Sequence, residues 1–392
     1  MTFRNKKTWV HLISFFVFFL TACNQMGPQP DNTPLPVPPP EPIRKEFHFI
    51  AVGDNLIHSP IYEHAKKMGG DHYDFSSSYA PVKDAIAAAD IAFLNQEVTV
   101  AGEEYIISTY PLFNAPKELA VEMSNIGFDI VNQASNHSMD SGMGALVDSW
   151  KLWKQLNVEV VGFFEKDAGA VRILERDGIR FAFLGYNYGL NRFIVDDWYE
   201  YGMTFLEEEE IILENVRHAK DIADFVIVSF HWGDEGATSA NEQQEHLAKL
   251  MAEENVDVVI GHHPHVVQPV EILTRSDGKD MPVFYSLGNF ISNQSSGINL
   301  LGGMASLYFN VDGDSLFVDR ISMIPLVTHY EPQYKATRVL FLDRYTEEEA
   351  ATHGVHSTTE YFSTPLLRYV FDDIIKEEFR GKAPDNIPKE GN

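Results

Sequence analysis

The chain has 392 residues, 44% of them hydrophobic and 12% aromatic, an ordinary globular composition that suffices for one large domain or two small ones. Asp plus Glu number 57 against 30 for Lys plus Arg, a formal net charge of −27. That balance excludes a nucleic-acid partner held through a basic surface, so any polyanion would have to be met by a local site.

Arg4, Lys6 and Lys7 precede an apolar segment from Trp9 to Leu20, too short for a comfortable spanning helix. The single cysteine closes Leu20-Thr21-Ala22-Cys23, which resembles the lipobox of bacterial lipoprotein signals. The resemblance implies that residues 1–22 are a signal peptide, that Cys23 is lipidated, and that the mature chain is extracytoplasmic and anchored to the cell membrane. An uncleaved anchor would leave the chain on the same side, and an ordinary buried cysteine is the plain alternative. Residues 23–46 carry prolines from Pro28 to Pro42 and form an expected extended linker.

From Phe47 onward short β-rich runs alternate with helical patterns, which predicts an α/β domain with many parallel strands over 47–345. The predicted strands are Phe47–Val52, Ile91–Asn95, Ile130–Asn132, Val158–Val161, Arg180–Leu184, Phe225–Phe230, Val256–Ile260 and Val283–Leu287. Between them fall predicted helices at Pro81–Ala89, Pro116–Ile126, Met143–Leu156, Glu207–Ile222 and Glu242–Glu254, with Pro81 and Pro116 in first-turn positions. The acidic run Glu207–Glu210 is expected to be a solvated first turn. Met304–Asn310 and Leu316–Ile324, joined by Asp312-Gly313-Asp314, predict a β-hairpin, and Val339–Leu342 a further strand. A helical extension over 346–392 follows, amphipathic from Pro365 to Phe379 and expected to fray from Arg380.

Gly261-His262-His263-Pro264-His265 sets three imidazoles within four positions after an apolar run. Alternation lets His263 and His265 point to one side, a geometry for metal ligands, although a His-rich surface loop would share the composition. Other predicted strands end in polar residues too: Asp54, Asn95 and Glu97, Asn136 and His137, and His231. Singly these could be turns, caps or a stacked core histidine. Together they fall at the carboxyl ends of parallel strands, where open α/β proteins put their sites. Carboxylates, an Asn carbonyl and imidazoles suit one or two ions of Mn, Zn or Fe, and a pair would activate water and clamp a phosphoryl group. His137 could then protonate a leaving oxygen, with Asp140 orienting its ring.

In this order the motifs Val52-Gly53-Asp54, Asn95-Gln96-Glu97, Ser135-Asn136-His137, Ser229-Phe230-His231-Trp232-Gly233, Gly261-His262-His263-Pro264-His265 and Ser286-Leu287-Gly288-Asn289-Phe290 resemble the CapA (also PgsA) family of poly-γ-glutamate capsule biosynthesis proteins, a branch of the metallo-dependent phosphatase superfamily. The resemblance implies a four-layer α/β/β/α sandwich. It also implies Asp54 and His265 as first-metal ligands, Glu97 in the bridging position, Asn136, His231 and His263 on the second metal, and His137 at the leaving group. Phosphatases carry Asp-x-His where this chain has Asp54-Asn55-Leu56, so one ligand is missing. His58 could reach in from the next turn, but a solvent-facing side chain is the expectation, and His262 is placed in a supporting or surface position. The implied function is synthesis or export of poly-γ-glutamate or a related envelope polymer, with membrane-bound polymer synthase subunits as partners. A metal-dependent phosphoesterase or polymer hydrolase, or a non-catalytic scaffold, are the alternatives.

Overall fold

Alternation along the strand Arg44–Asn55 divides the interior in two. Ile50 and Val52 enter a core with Ile61, Val82, Leu119 and Trp153, whereas Phe49 and Ala51 enter another with Phe183, Phe225 and Phe309. The strand Phe225–His231 repeats the pattern from the other side: Phe225 and Ile227 join Phe49, while Val226 and Val228 pack with Val216 and Leu247. Two sheets therefore share a central aromatic core and each is backed by helices, which is the four-layer α/β/β/α sandwich that the resemblance implies. The Phe181 and Phe225 rings stack at 5.4 Å, and Phe225 lies 4.7 Å from Phe309. Each such fully buried side chain contributes about 1.5–3 kcal/mol.

The structure, a computed structural model, describes residues 44–195, 199–313, 315–358 and 361–385. The signal-like segment, Cys23 and the proline-rich stretch up to Ile43 lie outside the described residues. The first sheet runs Lys335–Phe341, Ser315–Glu331, Leu301–Asp312, Arg44–Asn55, Ile91–Asn95, Ile130–Asn132 and Glu159–Val161, with Asn289–Ile291 also pairing along Arg44–Asn55. The second runs Val270–Thr274, Asp280–Phe284, Val258–His262, Phe225–His231, Ile179–Asn187 and Arg172–Arg176. The strands that end in candidate ligands are parallel to one another within each sheet. Their carboxyl ends therefore lie at one edge.

The helix Ser76–Ala87 begins five residues before the predicted start, so Pro81 sits inside it and not in its first turn. The missing N–H costs a backbone bond there, but the earlier start buries Phe75, Ser78 and Tyr79. The helix Ser59–Gly69 was hidden by its low apolar content, only Ile61 and Ala65 being buried. Of the charged end from Arg380, the described residues 380–385 do not fray, and the remainder lies outside the described residues. Gly381 N–H donates to Met323 O at 2.8 Å, Ala383 is buried, and Leu367, Phe371, Ile375 and Phe379 complete the core between the sheets.

Candidate metal centre

Close backbone approach between elements builds the site. The strand carrying Asp54 passes so near the turn before Asn289 that a Cβ at Gly53 would lie 1.9 Å from Gly288 O. At Gly261 a Cβ would lie 1.9 Å from Tyr285 O. Glycine is required at both positions. Beyond them His263 and His265 adopt φ of 96° and 60°, a left-handed backbone that bulky residues rarely take. Such strain persists where surrounding structure over-determines it.

Asp54, Glu97 and His265 come together: one ligand atom from each lies within 4.8 Å of the others. His265 Nδ1–H donates to Asp54 Oδ2 at 3.0 Å, and its Nε2 is 3.6 Å from Glu97 Oε1. Asn95 Nδ2 donates to Asp54 Oδ1 at 2.8 Å, and Asn132 Nδ2 holds Asn95 Oδ1 at 2.8 Å, so an amide relay from two neighbouring strand ends fixes the carboxylate. Asn289 Oδ1 lies 3.1 Å from His265 Nδ1 and Asn289 Nδ2 donates to His265 O. Sequence alone assigns no role to Asn132 or Asn289. An Asn at a strand end looks the same whether it caps, turns or steadies a ligand.

Beside this trio His231 Nε2 lies 2.8 Å from Asn136 Oδ1, and the His263 ring is 4.9 Å from that of His231 and 5.9 Å from that of His265. His137 Nδ1–H donates to Asp140 Oδ2 at 2.6 Å, and the same oxygen accepts Phe113 N–H at 2.8 Å. The structure thus brings all eight predicted site residues other than Cys23 to one edge. His262 is no surface residue: it ends its strand fully buried, stacked 6.0 Å from Phe93 with Nδ1 3.8 Å from Asp54. His58, expected to face solvent, is half-buried. Its ring packs edge-on to Phe113 at 5.4 Å, with Nδ1 3.2 Å from Leu56 O, and it joins neither three-residue donor group found among the described residues.

The donor set fits a divalent ion. Both Glu97 oxygens, His231 Nδ1 and His263 Nδ1 are buried without a hydrogen-bond partner among the described residues. A buried unpaired carboxylate is costly unless a proton or cation meets it. Burial pushes Glu97 well above the usual carboxylate range. Burial acts the same way on Asp54, but the His265 hydrogen bond and the surrounding imidazoles hold it below. For His265, burial would favour the neutral ring, yet Glu97 and Asp54 raise it to about 10. Burial lowers His262 and His263 to about 4, and His231 well below the ordinary value. The neutral imidazoles are in the form that ligates metal.

Residues 48–294 match the family described as bacterial capsule synthesis protein PGA_cap. The capsule biosynthesis protein CapA of Bacillus anthracis is 32% identical over 187 residues, 46% of this chain and 44% of that protein. The PGA biosynthesis protein CapA of Bacillus subtilis (strain 168) is 30% identical over 181 residues, 45% and 46% of the two chains. The chain therefore spans under half the length of each of these curated relatives. Among solved structures, a 5'-nucleotidase precursor from Thermus thermophilus aligns over 84% of this chain and 59% of that chain, with a TM-score of 0.46 and 12% identity.

Proposed function

Because this chain belongs to the bacterial capsule synthesis protein family, we propose that it serves the synthesis or export of poly-γ-glutamate or a related envelope polymer, through a cation-dependent hydrolytic site. In this reading residues 1–22 are a signal peptide, lipidated Cys23 tethers the chain outside the cell membrane, residues 23–46 space the folded domain from it, and membrane-bound polymer synthase subunits are its partners. The motif order and the lipobox support it.

One observation carries the chemical part: the two buried oxygens of Glu97, without a hydrogen-bond partner among the described residues, beside Asp54 and His265. Asp54, Glu97 and His265, with Asn136, His231 and His263 adjoining, would hold one or two divalent ions of Mn, Zn or Fe. Such ions would supply an activated water and neutralise charge developing on a phosphoryl or carbonyl oxygen. The chain's own residues supply the rest. Asp140 accepts the His137 Nδ1–H and would steady the ring when it carries a second proton, and the ring lines the cleft, so the Nε2–H of the doubly protonated ring is the one that would pass to a leaving oxygen. Phe113 packs edge-on against that ring at 4.8 Å and limits its rotation.

Deleting the gene in its host and measuring surface polymer tests the pathway; unchanged polymer would sink it. Complementing the deletion with wild type and with His263→Ala tests the centre, since equal rescue removes any role for metal. A second reading, a scaffold of the same fold, is favoured by Leu56, which sits in the core where the resemblance calls for a ligand. A purified chain that carries no metal and gains no stability from added Mn or Zn would support the scaffold.

A further inference from the structure

The position two past Asp54 offers no donor, because Leu56 is buried among apolar side chains. A carboxylate from the other sheet stands in reach of the centre. One oxygen of Glu235, a ring nitrogen of His263 and one of His265 lie within 4.8 Å of each other. This group and Asp54–Glu97–His265 are the two such donor groups among the described residues, and they share His265.

The loop that carries Glu235 is held in place on both sides. Gly233 turns the chain at φ 84°, and Gly236 N–H donates to Pro264 O, between the two imidazoles, at 2.8 Å. Gln268 Nε2 donates to Ala237 O and to Ser239 O, both at 2.9 Å, and Gln244 Nε2 donates to Gln268 Oε1 at 2.8 Å. Both glutamine side chains are fully buried. Buried amides spent on loop carbonyls fix where the next side chain starts. Glu235 itself is exposed on a cleft of about 260 Å³ lined also by Asn136, His137, Asp140 and Arg192. It makes no hydrogen bond or ion pair among the described residues.

We propose that Glu235 is a cation ligand that closes the centre from the cleft side and makes up for the donor absent at Leu56. The inference rests on the metal-centre reading above and adds to it a residue outside the ligand set that the resemblance implies. An exposed oxygen on a fixed loop, within reach of two imidazole nitrogens, is chemically suited to this.

The test is titration of the metal-stripped full chain with Mn²⁺ alone, following free Mn²⁺ by electron paramagnetic resonance, with Zn²⁺ competition as a second readout. Glu235→Gln is expected to weaken Mn²⁺ binding about tenfold or more. The metal-free melting temperature should be unchanged, since the side chain is exposed. Asp234→Asn removes an adjacent charge whose oxygen is already taken by Asn241 at 2.9 Å, and should stay within about threefold of wild type. Glu235→Gln binding as tightly as wild type overturns the proposal, and so does an equal loss in Asp234→Asn, which would assign the effect to local charge. Wild type that binds neither ion overturns the metal-centre reading itself, and this inference with it.

Discussion

Asp54 and His265 are 211 positions apart and meet at 3.0 Å, Oδ2 to Nδ1, with neither side chain reaching solvent to any extent. Asp54 belongs to the end of the first sheet's central strand, and His265 to the loop after Val258–His262 in the second. The candidate centre is thus a seam between sheets. Its geometry depends on the shared aromatic core that sets their spacing, and on the two glycines that let backbones touch at the seam.

Gly53→Ala follows from this directly. The added methyl would meet Gly288 O at 1.9 Å, and that oxygen accepts Asp54 N–H at 2.9 Å. Backbone must move, carrying Asp54 away from His265. The variant is expected to lose about 1–3 kcal/mol in urea denaturation, the usual cost of overpacking, and to lose Mn²⁺ binding with it. Unchanged stability would mean that the strand and the turn before Asn289 are not in contact.

Glu97→Gln should act in opposite directions in the two metal states. Without a cation, neither oxygen of the buried carboxylate has a hydrogen-bond partner, the nearest group being His265 Nε2 at 3.6 Å from Oε1, and an amide removes the charge. The metal-free variant is expected to be as stable as wild type or more stable by about 1 kcal/mol. With saturating Mn²⁺ the wild type should gain stability, by about 2.7 kcal/mol at a hundredfold excess over Kd, and the variant little. Thermal melts with and without chelator read both states. A variant that is destabilised in the metal-free state and still gains fully from Mn²⁺ would remove Glu97 from the ligand set.

Much of this is legible in the amino-acid sequence. Strand ends that leave an apolar β-run on Asp, Asn or His are conspicuous, and Asp54, Asn136, His231 and the imidazole loop were found that way. The four layers were an implication of the family resemblance, and alternation in strands such as Phe225–His231 is their physical basis. Edge strands were not legible: Arg172–Arg176 and Val270–Thr274 are mostly half-exposed and carry no continuous apolar run. The Asn132–Asn95–Asp54 relay was hidden because its members lie in different elements and only the register of adjacent strands aligns them. The half-burial of His58 was hidden for a similar reason, since what shields one side of it is Phe113, far off in sequence. Glu235 looked like one of many acids on a very acidic chain.

Asp140→Asn tests the proton-delivering group. Asp140 Oδ2 holds His137 Nδ1–H and Phe113 N–H together, so an Asn oxygen there would keep both bonds but remove the charge that steadies a protonated ring, and its NH2 would fall at the buried position of Oδ1, which has no hydrogen-bond partner. If the chain hydrolyses phosphodiesters or γ-glutamyl polymer, kcat is expected to fall about 10²-fold with KM little changed. Mn²⁺ binding should stay near the wild-type level, because Asp140 is not in either donor group. A loss of metal binding equal to that of His263→Ala would assign Asp140 a structural place in the centre instead.

Acid should destabilise the fold through a second histidine cluster, remote in sequence from the ligand motifs. His353 and His329 are buried 4.8 Å apart, and burial lowers them to about 3 and about 4. His353 Nδ1 accepts Val355 N–H at 2.9 Å, while Nε2 is 3.1 Å from Thr328 O. Protonating Nδ1 would turn that acceptor into a donor facing a donor. The unfolded chain takes up these protons near pH 6.5 and the folded chain does not, so the unfolded state binds more protons in that window. The stability these two rings contribute is fully present above about pH 6.5 and is lost as pH falls toward their folded values, at most about 3 kcal/mol for each ring by pH 4. His353→Asn should flatten that slope in urea denaturation at pH 7 and pH 4.5, at some cost in ring packing at both. An Asn variant with the wild-type pH slope would place the acid sensitivity elsewhere, with the carboxylates of the metal centre next to be tested.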